Sequence, residues 1–271
     1  MVRSLWTAAN GMLCQQTNVD IIANNLANVN TIGYKAEVAE FKSLLYQELQ
    51  TKTTTANGEN KPVGAQVGLG VRNSAITSIF RQGNLMSSES TTAFALSGDG
   101  FFALRGADGG TYYTRNGNFI FTTADNGMML SNTDGLPVLD STGKPVILGK
   151  QYAASKIGVD AEGNLTYPDE DGDVQTLGVR MGIFQFTNPS GLEKVDSTMY
   201  VVSSASGEPI NEATDNNVKH SKVVQSYLEG SGVQVADEMV NLIVAQRAYE
   251  MNSKAITTTD EMMQQANQLK R

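Results

Sequence analysis

Residues 4–28, SLWTAANGMLCQQTNVDIIANNLAN, decide the fold of this chain. Within them, apolar and amide positions alternate spacings of four and three residues, at Leu5, Ala9, Met12, Gln16, Val19, Ala23 and Leu26. This is the a/d pattern of a coiled-coil seam, and it predicts one helix about 37 Å long. The Asn-rich stretch NVNTIG at residues 28–33 ends the pattern, and its Gly33 suits a left-handed turn.

The C-terminal end predicts a second helix, because residues 235–269 contain no Gly or Pro. Its seam positions again step by four and three and then continue after a one-residue shift, at Val235, Met239, Leu242, Gln246, Tyr249, Ile256, Thr259, Met263 and Ala266. A lone helix with one apolar seam is marginal in water. We therefore expect the two terminal helices to pair as a coiled coil.

The middle of the chain has a different pattern. From about residue 67 to residue 204, Gly and Asn/Asp turn signals separate short β-branched or aromatic runs, such as TYYT at 111–114 and NFIF at 118–121. Turns recur every 8 to 12 residues or so, which favours a β-sandwich or barrel-like module. The sequence therefore predicts an α+β fold, with a mainly β domain between two long helices.

Four segments follow from these patterns. We expect an N-terminal helix at residues 1–35, a connector at 36–80, a β-rich domain at 81–225 and a C-terminal helix at 226–271. Residues 51–70 in the connector are rich in Thr, Asn, Gly and Lys, a composition that by itself indicates an extended or mobile loop.

Composition and charge exclude several classes of protein. The net charge of −8 argues against nucleic acid as a partner. No apolar run approaches the roughly 20 residues that span a bilayer, so we expect no membrane insertion. The N-terminus lacks the apolar core of a secretory signal, which indicates either a cytoplasmic protein or export without a cleaved signal.

Candidate chemistry is sparse. One cysteine, Cys14, and one histidine, His220, exclude a cysteine-based zinc site and a multi-histidine centre. The acidic cluster at residues 169–173 lacks calcium-loop spacing, since Val174 stands where that loop needs Gly and Arg180 where it needs Glu. We expect Cys14 to be buried, His220 to be solvated, and the chain to be no enzyme, with no cofactor and no metal.

Four motifs resemble the flagellar rod and hook family of axial proteins. In chain order they are ANNLANVNTIGYK at 23–35, QGNL at 82–85 with SGDGFF at 97–102, YTRNGNF at 113–119 and AQRAYEMNSK at 245–254. The resemblance is greatest to the distal-rod members, in length and in a stretch at about residues 46–66. That stretch is similar to a rod-type insertion that hook proteins lack and that accompanies a straight, stiff rod.

The resemblance implies a structural subunit of the bacterial flagellar basal body. Such subunits leave the cytoplasm through the flagellar type III export apparatus and polymerise helically into a rigid, hollow drive shaft that transmits torque to the hook. The implied partners are copies of the same chain, the proximal rod and hook proteins, the ring proteins and the export apparatus. A proximal rod or hook subunit is the alternative within the family; outside it, the alternatives are a coiled-coil adhesin or adaptor and a cell-wall hydrolase.

The expected assembly contacts lie on the terminal helices. Asn24, Asn25, Asn28 and Asn30 either bond neighbouring backbones or side chains, or cap the helix end. Gln16 and Gln246 are seam residues that would fix the register by bonding each other. Arg247 either pairs with an acid of another helix or another subunit, or is solvated. The full expected set is Leu5, Met12, Gln16, Val19, Asn24, Asn25, Leu26, Asn28, Met239, Leu242, Gln246, Arg247, Tyr249, Asn252, Ile256 and Met263.

Overall fold

The computed structural model of the chain describes residues 3–50, 65–124, 127–169, 173–215 and 218–269. Helix α1 spans Arg3–Ala27 and helix α2 spans Val235–Gln268, with short strands between them. The predicted α+β class, with a helix at each end of a mainly β chain, is confirmed. Within the described residues, neither helix combines the length and apolar character that a bilayer-spanning segment needs.

The chain divides into two compact units. The helical unit comprises residues 1–27, 37–77 and 234–271, and the β unit comprises residues 28–36 and 78–233. The division expected from the sequence, into segments at 1–35, 36–80, 81–225 and 226–271, stays a prediction.

The helical unit holds both helices and two strand pairs. Its strands are β1 (Glu37–Ser43), β2 (Tyr46–Gln50), β3 (Ala65–Gly68) and β4 (Val71–Ser78), with β1 paired to β4 and β2 to β3. Composition favoured a loop throughout residues 51–70, but residues 65–68 form β3 because they pair antiparallel with β2, Gln47 facing Val67. Of the predicted insertion at 46–66, the structure describes residues 46–50 and 65–66. Residues 51–64 lie outside the described residues.

The β unit contains the remaining strands. They are β5 (Leu85–Ser87), β6 (Phe94–Ser97), β7 (Phe101–Arg105), β8 (Thr111–Thr114), β9 (Ile120–Ala124), β10 (Gly127–Ser131), β11 (Ile147–Leu148), β12 (Gly158–Val159), β13 (Asn164–Pro168), β14 (Val174–Arg180), β15 (Ile183–Gln185), β16 (Glu193–Lys194), β17 (Met199–Val201), β18 (Ile210–Asn211), β19 (Lys222–Gln225) and β20 (Tyr227–Glu229). The largest sheet has the order β16-β17-β8-β7-β15-β18, and the smaller sheets are β11-β10-β9, β12-β13-β14, β19-β6 and β20-β5.

Strand β7 lies inside the largest sheet and is covered on both faces. Successive side chains of a strand point to opposite faces. Phe102 and Leu104 therefore enter one apolar cluster, with Phe119 and Leu130, while Phe101 enters a second one on the other face. This explains why the run FFAL carries no polar residue, since a strand buried on both faces is apolar throughout.

Candidate functional site

The two terminal helices contact each other within the helical unit, and their pairing along the predicted seam stays a prediction. The fully buried residues of α1 are Ala8, Cys14, Ile21, Ile22 and Asn25, and those of α2 are Ala245 and Thr259. None of the seven predicted α1 seam positions is in this set, and of the predicted α2 seam only Thr259 is. Helix α1 contacts β1 as well as α2, so part of its buried face belongs to the strands.

Contacts of α1 with the strands explain this different buried face. The Cys14 thiol lies 3.6 Å from the carbonyl oxygen of Val71 in β4. Cys14 is buried, as predicted, and burial raises the pKa of its thiol. Gly11 faces α2 instead, where an added Cβ would lie 2.8 Å from the Asn252 amide nitrogen. Gly11 therefore allows the helices to approach closely at this point, although Gly has a low helix propensity.

The predicted interface residues differ widely in exposure. One, Asn25, is buried. Partly buried are Leu5, Met12, Val19, Leu26, Asn28, Leu242, Asn252 and Ile256, and exposed are Gln16, Asn24, Met239, Gln246, Arg247, Tyr249 and Met263. A role for these residues in contacts between chains stays a prediction.

Asn25 joins three elements of the helical unit. Its amide nitrogen donates to the carbonyl oxygen of Glu37 at 2.8 Å, and its amide oxygen accepts from the backbone N–H of Glu37 at 2.9 Å. The same nitrogen lies 3.3 Å from a carboxylate oxygen of Glu238 in α2. One side chain thereby connects α1, the start of β1 and the first turn of α2. Partial burial raises the pKa of Glu238, and the bond from Asn25 opposes that shift.

A cavity opens between α1 and α2. Gln16 and Val19 line it from α1, and Gln246, Tyr249 and Glu250 line it from α2, around about 380 Å³. Within the described chain no hydrogen bond joins Gln16 to Gln246, although both line this cavity. Arg247 makes a surface ion pair with Glu250 at 3.2 Å.

Large apolar side chains remain exposed on both helices. Trp6 and Leu13 of α1 are 57% and 63% exposed, and α2 exposes Met239, Val240, Ile243, Val244 and Met251. Of these exposed residues, the predicted a/d seam contains only Met239. The signal for them is the run NLIV at 241–244, because a helix that is apolar beyond one stripe needs more than one partner. Exposed apolar side chains concentrated on one element are typical of interaction surfaces.

The β unit contains a buried ion cluster that the sequence patterns did not reveal. The Lys35 ammonium lies 2.6 Å from one carboxylate oxygen of Glu229, and the Arg115 guanidinium lies 3.4 Å from the other. All three side chains are at most 1% exposed. Burial lowers the pKa of Lys35, and the Glu229 carboxylate opposes that shift.

This cluster joins the motifs that carry the family resemblance. Lys35 ends the first motif and Arg115 lies in the third. The N–H of Gly83 in the second motif donates to Glu229 at 2.9 Å, and Arg115 donates to the carbonyl oxygen of Gly98 at 2.7 Å. The signal in the sequence was that Lys35 and Arg115 are the only charged residues of the first and third motifs.

A second cavity, in the β unit, contains His220 and Ser221. His220 is exposed, as predicted, while Ser221 is buried. The Ser221 hydroxyl donates to Glu212 at 2.8 Å and accepts from the Gly100 N–H at 2.8 Å, so it holds β-unit segments together. Among the described residues, no three His, Cys, Asp or Glu side chains are grouped to hold a metal ion.

Comparison with known proteins gives consistent matches along the chain. Three family models match it: "Flagella basal body rod protein" at residues 5–35, "Flagellar hook protein FlgE/F/G D1 domain" at 95–167 and "Flagellar basal body rod FlgEFG protein C-terminal" at 224–269. The chain is 40% identical to the flagellar basal-body rod protein FlgG of Borreliella burgdorferi, with all of both chains covered. Identity is 41% to FlgG of Agrobacterium fabrum, over 96% of this chain and 97% of that one. It is 37% to FlgG of Bacillus subtilis, again with both chains fully covered.

Proposed function

This chain belongs to the family of flagellar basal-body rod proteins, and from that premise we propose that it polymerises helically into the distal rod. As a structural subunit of the rod, it would form part of a rigid, hollow shaft that transmits torque to the hook. We propose no catalytic activity. The observation that carries the proposal is the apolar surface of α1 and α2 that is exposed among the described residues, such as Leu13, Ile243 and Val244.

The helices would complete their packing in the polymer. We propose that α1 and α2 pair as a coiled coil there, and that neighbouring chains cover the predicted seam positions that one chain leaves exposed, such as Met239 and Tyr249. The short antiparallel strands of the β unit would form a sandwich-like or barrel-like body. Neighbours in the rod would be copies of the chain, the proximal rod and the hook, with ring proteins around it.

Location and rigidity follow from the same proposal. The subunit would pass through the flagellar export apparatus without a cleaved signal and assemble outside the cytoplasm. The insertion at residues 46–66 would stiffen the rod, since its ends already pair as β2 and β3. Transfer of residues 46–66 into a hook protein should give a hook that resists bending; a hook that still bends would refute this role.

A charged substitution on the exposed face tests the proposal. Ile243→Asp places a carboxylate on the apolar face of α2, where Ile243 is 56% exposed. The variant should keep its helical circular dichroism and lose pelletable polymer, because a charge in a desolvated contact is costly. Asn241→Asp adds the same charge at an exposed polar site on the same turn and should still polymerise. If Ile243→Asp assembles as well as Asn241→Asp, this face takes no part in polymerisation.

A further inference from the structure

Residues 28–36 form a loop whose two flanks belong to the helical unit. The loop follows α1, precedes β1, and contains neither helix nor strand. It nevertheless packs as part of the β unit. Its flanks are fastened to each other in the helical unit, because Asn25 bonds the backbone N–H and carbonyl groups of Glu37 at 2.9 and 2.8 Å. We call residues 28–36 the strap.

Main-chain hydrogen bonds hold the strap to two other segments of the β unit. The Gly33 N–H donates to the carbonyl oxygen of Glu229 at 2.8 Å, and the carbonyl oxygen of Ala36 accepts from the Ile79 N–H at 2.8 Å. Proteins bind extended peptides in a similar way, with main-chain bonds for affinity and pockets for individual side chains. The strap is therefore attached to the β unit much as a bound peptide is.

Two side chains of the strap are fully buried. Tyr34 and Lys35 are both 0% exposed, and the Lys194 ammonium lies 4.6 Å from the centre of the Tyr34 ring. The Lys35 ammonium donates to Glu229 at 2.6 Å and to the carbonyl oxygen of Arg81 at 2.8 Å. These contacts make the docked strap the favoured state.

The buried acid keeps its partners when Lys35 is withdrawn. Arg115 approaches the other oxygen of Glu229 at 3.4 Å, and the Gly83 N–H donates to Glu229 at 2.9 Å. Loss of one member of a buried ion pair is strongly destabilising when it leaves a charge unpaired, and Glu229 is not left unpaired here. Lys35 would also regain the hydration that it lost on burial, a loss that lowers its pKa. Release of the strap therefore leaves the rest of the ion cluster intact.

We propose that the strap opens and closes on a β unit that stays folded, and that Lys35 is the residue that keeps it closed. Proteins open locally in contiguous segments at a lower free-energy cost than global unfolding. Because the strap directly follows α1 in the chain, a subunit with an open strap can complete its β unit before α1 takes its place in the polymer. This last consequence rests on the proposed function, whereas the opening itself is a property of the single chain.

Amide hydrogen exchange of the natural monomer, followed residue by residue by NMR, tests the opening. The amides of Gly33 and Ile79 report on the strap, and the hydrogen-bonded amides of Leu130 and Leu139 report on the core of the β unit. We expect the strap amides to exchange at least about 10-fold faster than the core amides. Low urea should accelerate the core amides more, because local opening exposes less surface than unfolding does. Strap amides that match the core amides in rate and in urea dependence would overturn the inference.

Lys35→Ala tests what keeps the strap closed. Loss of the charged hydrogen bonds should accelerate exchange of the strap amides by a further factor of about 10 or more and leave the core amides nearly unchanged. Lys144→Ala removes the same charge from an exposed site of the β unit and should accelerate neither set. Equal acceleration of strap and core amides in Lys35→Ala, or none in the strap, would overturn the inference. Both variants are read as monomers, so the result is independent of whether the chain forms filaments.

Discussion

Lys35 and Glu229 are 194 positions apart in the sequence, yet their side chains meet in a buried ion pair with 2.6 Å between Nζ and Oε1. Arg115 approaches the other oxygen of the same carboxylate, so two cations share one acid. Buried charges persist in proteins when they are paired and hydrogen-bonded. The cluster therefore fixes three distant chain segments of the β unit in one arrangement.

Loss of the shared acid should destabilise the β unit strongly. Glu229→Gln leaves the buried charges of Lys35 and Arg115 without a counter-charge, and we expect a loss of about 3 to 5 kcal/mol in the free energy of unfolding. Urea denaturation followed by tyrosine and far-ultraviolet signals measures it. Glu208→Gln removes the same charge at an exposed position and should change stability little. Equal effects of the two variants would mean that the ion cluster adds no stability.

Gly33 should tolerate no side chain. It has a φ of +70°, and an added Cβ would lie 2.7 Å from backbone atoms of Arg115 and Asn116. Gly33→Ala should cost about 3 kcal/mol or more in unfolding free energy, from strain together with the clash. Gly109 has a similar φ of +81° and open space around it, so Gly109→Ala should cost only about 1 kcal/mol. Similar losses of unfolding free energy in both variants would mean that the clash with Arg115 and Asn116 costs no stability.

Asn25 should hold the start of β1. Asn25→Ala removes both hydrogen-bond partners of the Glu37 backbone, and unmade bonds of this kind cost about 1 to 3 kcal/mol each. Hydrogen exchange followed by mass spectrometry should show faster exchange in peptides that cover residues 37–43. Asp20→Ala, at an exposed position on the same helix, should leave those peptides nearly unchanged. Exchange in β1 that is insensitive to Asn25→Ala would contradict the anchoring role.

Glu238 should make the stability of the helical unit depend on pH. Its carboxyl has a raised pKa, chiefly because of burial. The folded state therefore holds the proton at pH values where the unfolded state has lost it, and stability falls as the pH rises through that window. Glu238→Gln keeps an acceptor for Asn25 and removes this penalty. The stability of the variant relative to the natural chain should increase from about pH 4 to pH 7.

The control for that titration is Glu261→Gln, which removes a charge from an exposed site on the same helix. Thermal unfolding at a series of pH values measures both variants against the natural chain. A relative stability of Glu238→Gln that does not change with pH would exclude Glu238 as the source of the dependence.

Local sequence signals predicted the elements better than their contacts. Helical periodicity and the absence of Gly and Pro located α1 and α2 to within about a residue. Gly33 was expected to adopt a left-handed conformation and does so. These features depend on neighbouring residues, so one stretch of sequence contains the information for them.

The buried face of α1 and the ion cluster depend on distant residues. Periodicity identifies the apolar face of a helix but not the element that covers it. The a/d pattern therefore did not show that strands would contact Cys14 and Asn25 of α1. It also did not show that Ile243 of α2 would be exposed. The meeting of Lys35 with Glu229 likewise needs the complete β unit. The family motifs contained two residues of that cluster, but only the fold showed why they occur there.

Electron microscopy of the concentrated, purified chain tests the central claim most directly. If the chain is a rod subunit with propagating contacts, it should form straight, tubular filaments of open-ended length. The Ile243→Asp variant on the same grids should give monomers. Particles of one fixed size, such as dimers or trimers, would contradict helical polymerisation and favour a coiled-coil adaptor instead.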